Sequence, residues 1–189
     1  MHASDGSLPN IVANPRQTAT AKVYWLTGLS GAGKTTLCRL LVAHLRAQHR
    51  SVVMLDGDEL REAMGATTMH TRSERLQLAM RYAHLCRLIA MQGFDVAIAT
   101  ISMFKEVHEW NRANLPGYVE IFLKVPLEEL ARRDHKKIYE RAARGELKNV
   151  AGVNLEVDFP SAPDFTISHH DGCTIEAATN ELFEKLGVV

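Results

Sequence analysis

Two patterns of apolar and polar positions alternate along the chain: short continuous apolar runs, and longer stretches with helical spacing. The first run, Val23-Tyr24-Trp25-Leu26-Thr27, is β-prone and bounded by Gly28, as expected of a buried strand. From Thr35 to Leu45 apolar residues recur at Leu37, Leu40, Leu41 and Leu45, which predicts a helix, and Ser51 to Leu55 predicts a second strand. The pattern continues with a helix from Ser73 to Gln92 closed by Gly93, a strand from Val96 to Thr100, a helix from Lys105 to Leu115 and a strand from Val119 to Val125. Pro126 suits the first position of a helix running from Leu127 to Asp134. From Lys136 to Asp164 charged residues give way to Gly, Asn and Pro without periodicity, which predicts a mobile lid over about 134–163. A strand from Phe165 to Ser168 and a helix from Thr174 to Leu186 close the chain. Near-continuous apolar strands alternating with helices predict an α/β fold, a parallel sheet covered by helices on both faces in three layers. Residues 1–20, rich in Ser, Asn, Pro and Thr, read as a flexible arm, leaving 21–189 as one domain.

Composition narrows the partners. The chain has 189 residues, 46% hydrophobic and 23% charged, which is ordinary for a folded domain and excludes disorder or a coiled coil as its main state. Lys and Arg number 22 and Asp and Glu 22, so no net positive charge favours nucleic acid or anionic lipid, and any anionic ligand must be held by a local site. No apolar stretch approaches the roughly 20 residues that span a bilayer. Cys38, Cys86 and Cys173 form no C-x-x-C pair and read as buried reduced thiols, and the N-terminus lacks the basic start and apolar run of a signal peptide. The cytoplasm is the expected location.

Candidate chemistry enters at Gly28-Leu29-Ser30-Gly31-Ala32-Gly33-Lys34-Thr35, which fits G-x-x-x-x-G-K-[ST] and lies between a strand and a helix. In such a loop successive N–H groups and the helix N-terminus face a phosphate, supplying positive potential without net charge. Lys34 is expected to reach the β and γ phosphates of ATP, and Thr35 to place its hydroxyl on Mg²⁺. One strand later, Leu55-Asp56-Gly57-Asp58-Glu59-Leu60-Arg61 stands at a carboxyl edge of the sheet, where ligands of open α/β folds bind. Asp56 or Asp58 is placed to take the proton of an acceptor hydroxyl, and Arg61 to grip an acceptor anion. The same residues also fit a plain helix cap with a solvated arginine.

Together these segments resemble the adenylylsulfate kinases, P-loop kinases that phosphorylate the ribose 3′-hydroxyl of adenosine 5′-phosphosulfate. The resemblance rests on Gly28 to Thr36, on Asp56 to Arg61, on Ile101-Ser102-Met103-Phe104, and on a lid reading Arg133-Asp134-His135-Lys136-Lys137-Ile138-Tyr139 followed by Ala142-Ala143-Arg144-Gly145-Glu146-Leu147-Lys148. It implies a five-stranded parallel sheet in the order 2-3-1-4-5, ATP and Mg²⁺ as co-substrates, and commonly a homodimer. It gives Gly28 through Thr36 and Arg133 to ATP, and Asp58, Arg61, Arg75, Ile101, Ser102, Phe104, Lys136 and Val150 to the nucleotide acceptor, with Lys34, Asp56 and Asp58 as the catalytic set.

Departures cluster on the acceptor side. Where the family has F-T-G, with an aromatic plane for adenine, this chain has Val150-Ala151-Gly152, and His70, Leu78 and Met103 replace a Phe, an Asn and a Pro. Phe104, Phe159 or His70 is expected to supply the missing ring. The run from Ile101 to Arg112 is similar to the capsule-pathway cytidine diphosphoramidate kinases, which makes that nucleotide the alternative acceptor. Trp110 reads as an inward-facing core residue, and Arg112 as a cation of the site. An ATP-gated binding module has no use for the acceptor residues, and a simple hydrolase would pass phosphate to water without one.

Overall fold

The computed structural model describes residues 21–68, 71–134, 137–168 and 174–187. The expected arm, together with His70, Lys136 and Cys173, lies outside the described residues. Five strands, β1 (Val23–Thr27), β2 (Val52–Asp56), β3 (Asp95–Ala99), β4 (Tyr118–Lys124) and β5 (Phe165–Ser168), form one sheet. Its order is β2-β3-β1-β4-β5, and every pairing is parallel. Strand β1 shows why its sequence is apolar throughout. Tyr24 and Leu26 face a core shared with Leu37, Cys38, Leu41 and Leu182, while Val23 and Trp25 face a second core with Leu78, Tyr82, Cys86 and Val107. A strand packed on both faces has no solvent side and therefore no alternation.

The helices are α1 (Lys34–Ala47), α2 (Gly57–Ala63), α3 (Arg72–Ala90), α4 (Lys105–Asn114), α5 (Leu127–Arg132), α6 (Ile138–Ala143) and α7 (Ile175–Leu186). Helices α1 and α7 supply the first core, α3 and α4 the second, giving the three expected layers. Val107 is fully buried, and Trp110 packs on His84 at 4.4 Å between ring centroids, as the inward reading of that face requires. Cys38 and Cys86 are buried free thiols, both made more difficult to ionise by burial, Cys38 up to about 12. Among the described residues no helix is long and apolar enough to cross a membrane.

Two elements depart from the sequence expectation. Helix α2 follows β2 without a loop, so Asp56 is at once the last strand residue and the helix N-cap, its carboxylate accepting from the Asp58 N–H at 2.9 Å. Gly57 makes this junction possible: a Cβ there would stand 3.0 Å from Thr100 Oγ1 and 3.3 Å from the Ala99 carbonyl. The segment expected to be mobile has a defined fold over its described part. It contains α6, then a turn in which the Val150 carbonyl accepts from the N–H groups of Val153, Asn154 and Leu155. The Asn154 side chain braces the turn, accepting from Val150 N and donating to the Leu147 carbonyl. Order here comes from aperiodic backbone and side-chain bonds, which leave no periodicity to read.

Candidate active site

The loop between β1 and α1 is shaped by glycines in conformations other residues resist. Gly31 and Gly33 have φ of 78° and 90°, and a Cβ on Gly28, at φ 153°, would lie 2.7 Å from the Leu123 carbonyl. Gly33 is the N-cap of α1 and offers no side-chain acceptor, so the first N–H groups of that helix are left for an anion. The loop opens into a cavity of about 410 Å³ at the carboxyl edge of the sheet, where open parallel α/β sheets place their ligands.

Of the loop residues expected at ATP, Ser30, Gly31, Gly33, Lys34, Thr35 and Thr36 line this cavity. Gly28 sits behind it against Leu123, and the side chains of Leu29 and Ala32 turn into the core. Ala32 also borders a smaller, mainly apolar cavity of about 210 Å³ beside α7, which shares Gly33, Thr36 and Arg133 with the main one. Lys34 Nζ donates to the Leu29 carbonyl at 2.8 Å. Burial lowers its pKa from 10.5 to about 8, against the opposing pull of Asp58 and Asp56. Thr35 Oγ1 donates to Asp56 Oδ2 at 2.6 Å.

The acceptor candidates Asp56, Asp58, Arg61, Arg75, Ile101, Ser102 and Phe104 line the same cavity, as does Arg133. Arg75 has its pKa lowered by burial and by the neighbouring Arg61, so two like charges face one space. Such a pair is a cost that an anion placed between the guanidinium groups would offset. Phe104 is buried to all but 4% and still borders the cavity, with the Arg72 guanidinium 5.3 Å from its ring centroid.

Three residues expected at the site do not line the cavity. Val150 packs on the first core and does not line the cavity; Ala151, Leu155 and Val157 form that wall. Arg112 lies away from the cavity, donating to Asp164 Oδ2 at 2.7 Å and to Glu120 Oε2 at 3.4 Å and stacking on Tyr118. Phe159 is 54% exposed, packs on Phe122 with 5.8 Å between centroids and does not line the cavity. Lys136 and His70, expected nearby, lie outside the described residues.

The structure also adds residues. Tyr82 and Tyr139 both line the cavity and both have their hydroxyls pushed up to about 12 by burial. Tyr82 donates to the Gly57 carbonyl at 3.1 Å, bracing the β2–α2 junction from α3. Tyr139 donates to the Ser30 carbonyl at 2.7 Å, tying the lid to the phosphate loop. It stands inside the quoted lid segment and was available as a signal there. Nothing in the helical pattern of α3 singles out Tyr82, because that pattern marks a face and not the end of it nearest the cavity.

A glycine-shaped anion loop, an adjacent lysine and threonine, and carboxylates with paired arginines across one cavity define a P-loop phosphotransferase. A sequence model of the adenylylsulphate kinase family matches residues 20–168. The cytidine diphosphoramidate kinase of Campylobacter jejuni is 37% identical over 166 residues, covering 88% of this chain and 96% of that protein. The adenylyl-sulfate kinase of Myxococcus xanthus is 41% identical over 169 residues, covering 87% and 90%. Among solved structures, the Mycobacterium tuberculosis APS kinase in complex with AMPPNP and APS superposes with a TM-score of 0.79 at 29% identity, covering 89% of this chain and 98% of that one. This chain belongs to the adenylylsulphate kinase family, and its activity is ATP-dependent phosphoryl transfer.

Proposed function

We propose that the chain transfers the γ-phosphoryl group of ATP to a ribose hydroxyl of a small nucleotide carrying a 5′ anhydride, with the 3′-hydroxyl of adenosine 5′-phosphosulfate as the first-named acceptor. The observation that carries this reading is the placement of Arg61 and Arg75 with Asp58 in the cavity that the phosphate loop opens into. A sensor or a hydrolase needs the loop but has no work for that second set. ATP would place its phosphates along the α1 N-terminus with Lys34 on the β and γ groups, and Arg133, between the two cavities, would close over them. The acceptor would be fixed by Arg61 and Arg75 through its 5′ anion, its base against Phe104 and its hydroxyl toward Asp58.

The oxygen donors beside the loop suit Mg²⁺, a hard cation commonly held by one or two protein ligands and substrate phosphates. Thr35, already paired with Asp56, is the residue that would hold it, and Asp56 would orient that hydroxyl. Held there, the ion would offset the negative charge that develops during phosphoryl transfer. A homodimer, on the family resemblance, with a single kinase domain over 21–189 and a cytoplasmic setting, on the sequence pattern, complete the proposal.

One observation favours the cytidine alternative. The wall formed by Ala151, Leu155 and Val157 is aliphatic and offers no ring where the family resemblance places one for adenine, and stacking is worth roughly 1–3 kcal/mol per base. Comparing kcat/KM for adenosine 5′-phosphosulfate and cytidine diphosphoramidate with ATP tests the choice: faster turnover of the cytidine compound overturns the first-named acceptor. ADP release at full rate with neither acceptor present would overturn the kinase reading.

The depressed Lys34 pKa gives a pH dependence with a definite sign. Lys34 is cationic below about 8 in the free protein and loses its proton above it. The ratio kcat/KM for ATP should therefore fall as pH rises through about 8, while kcat holds, because bound phosphate restores the cation. A kcat/KM that stays flat to about pH 10 would show that Lys34 does not capture ATP.

A further inference from the structure

The lid returns to β5 through residues 156–164, and one carboxylate in that strap holds three elements of the acceptor wall together. Asp158 Oδ2 accepts from Arg72 Nη2, at the start of α3, at 2.9 Å, and from the backbone N–H of Lys105, the first residue of α4, at 3.0 Å. The backbone of the same residue donates to the Met103 carbonyl at 3.0 Å, and its own carbonyl accepts from His108 Nε2 at 3.1 Å. Helix α4 has no side-chain cap from its own N-cap residue, Phe104, so Asp158 supplies from outside the negative group its N-terminus favours.

Arg72, held by this carboxylate, lies over the Phe104 ring at 5.3 Å, with Glu106 a further 3.9 Å partner. Met103, Phe104 and Val157 all border the cavity, and each is next in sequence to, or in contact with, a member of this arrangement. Among the described residues, the bonds of Asp158, Arg72 and Lys105 run between the strap, α3, α4 and the Met103 carbonyl. The staple therefore sits on the acceptor side alone.

We infer that Asp158 is a positioning residue for the acceptor: by clamping Arg72 over Phe104 and tying the strap to the Met103 carbonyl and the α4 N-terminus, it sets the surface on which the acceptor base rests. This inference rests on the proposed function, in that the acceptor is taken to be a nucleotide. Its signature is asymmetric. The ATP half is built on β1, α1 and Arg133 and is untouched by the staple, so loss of Asp158 moves one substrate and not the other.

The test uses Asp158→Ala, Arg72→Ala and the double variant, with whichever nucleotide the wild-type protein phosphorylates faster. Asp158→Ala should raise KM for the acceptor about tenfold and leave KM for ATP unchanged, because a charge-assisted bond to a helix N-terminus and an ion pair are lost together. The double variant should fall short of the product of the single effects, since each partner acts through the other. Equal rises in both KM values, or strictly multiplicative single effects, would overturn the inference. Amide hydrogen exchange on the free protein reads the staple without any substrate. Faster exchange at Lys105 and across the strap in Asp158→Ala supports it, and unchanged exchange overturns it. If the wild-type protein phosphorylates neither nucleotide, the functional reading falls and the exchange result alone decides the staple.

Discussion

Replacing Lys34 with alanine should lower turnover by about 10²–10³-fold while leaving the melting temperature of the free protein unchanged or slightly raised. The two halves have one cause. In the free protein the ammonium is buried, and its burial cost outweighs the pull of Asp58 and Asp56, which is why its pKa falls to about 8. Its Nζ donates to the Leu29 carbonyl at 2.8 Å, a weaker partner for a cation than phosphate. Removing the charge relieves the free protein and cripples the complex. A group with a depressed folded-state pKa lowers stability at pH below that value, and the loss is recovered as pH climbs toward the unfolded value of 10.5. The stability difference between variant and wild type should accordingly shrink between pH 8 and 10.5. ATP should raise the melting temperature of the wild type far more than that of the variant, since stabilisation by a ligand follows its affinity. Undiminished turnover in a folded Lys34→Ala protein would remove Lys34 from the phosphates.

Much of the fold was legible because a parallel sheet covered on both faces writes its strands as apolar runs, and β1, β3 and β4 are such runs. The phosphate loop was legible because its glycines answer to backbone conformation, which sequence encodes locally. Helix α2 was not, because it has seven residues, buries none of them fully and begins on the last residue of a strand. There the two sequence readings of Asp56, helix cap and site residue, are both met in one carboxylate, one oxygen of which caps α2 while the other accepts from Thr35. Arg112 shows the opposite limit. In a chain of 22 positive and 22 negative residues, which cation reaches the site depends on which carboxylates the fold brings elsewhere. Asp164, 52 residues away in sequence, is carried to Arg112 by the strap, and no local signal announces that pairing. The neutral composition is thus divided by tertiary structure into a cationic cavity and spent ion pairs outside it.

Asp58→Asn should lower kcat by about 10²–10⁴-fold with little change in stability or in KM for ATP, whereas Asp56→Asn should chiefly raise KM for ATP and lower stability by about 1 kcal/mol. Both aspartates line the cavity. Asp56 is 8% exposed, and its two oxygens accept from Thr35 Oγ1 at 2.6 Å and from the Asp58 N–H at 2.9 Å. A carboxylate occupied in this way can orient a hydroxyl and cap a helix, but it has little capacity left for a substrate proton. Asparagine keeps the cap oxygen and loses the second acceptor, so Asp56→Asn should disturb Thr35 more than the acceptor. Asp58 stands in the first turn of α2, beside Lys34 and within the same cavity as Arg61 and Arg75. An amide there preserves shape and cannot take a proton from a hydroxyl at neutral pH, so the chemical step alone should suffer. Single-turnover rates separate the two, because a defect in proton acceptance slows phosphoryl transfer at saturating ATP and acceptor, while a defect in ATP capture disappears there. If Asp56→Asn slows the saturated single turnover more than Asp58→Asn does, with an unchanged melting temperature, the proton belongs to Asp56 and the cap is a secondary duty of that residue.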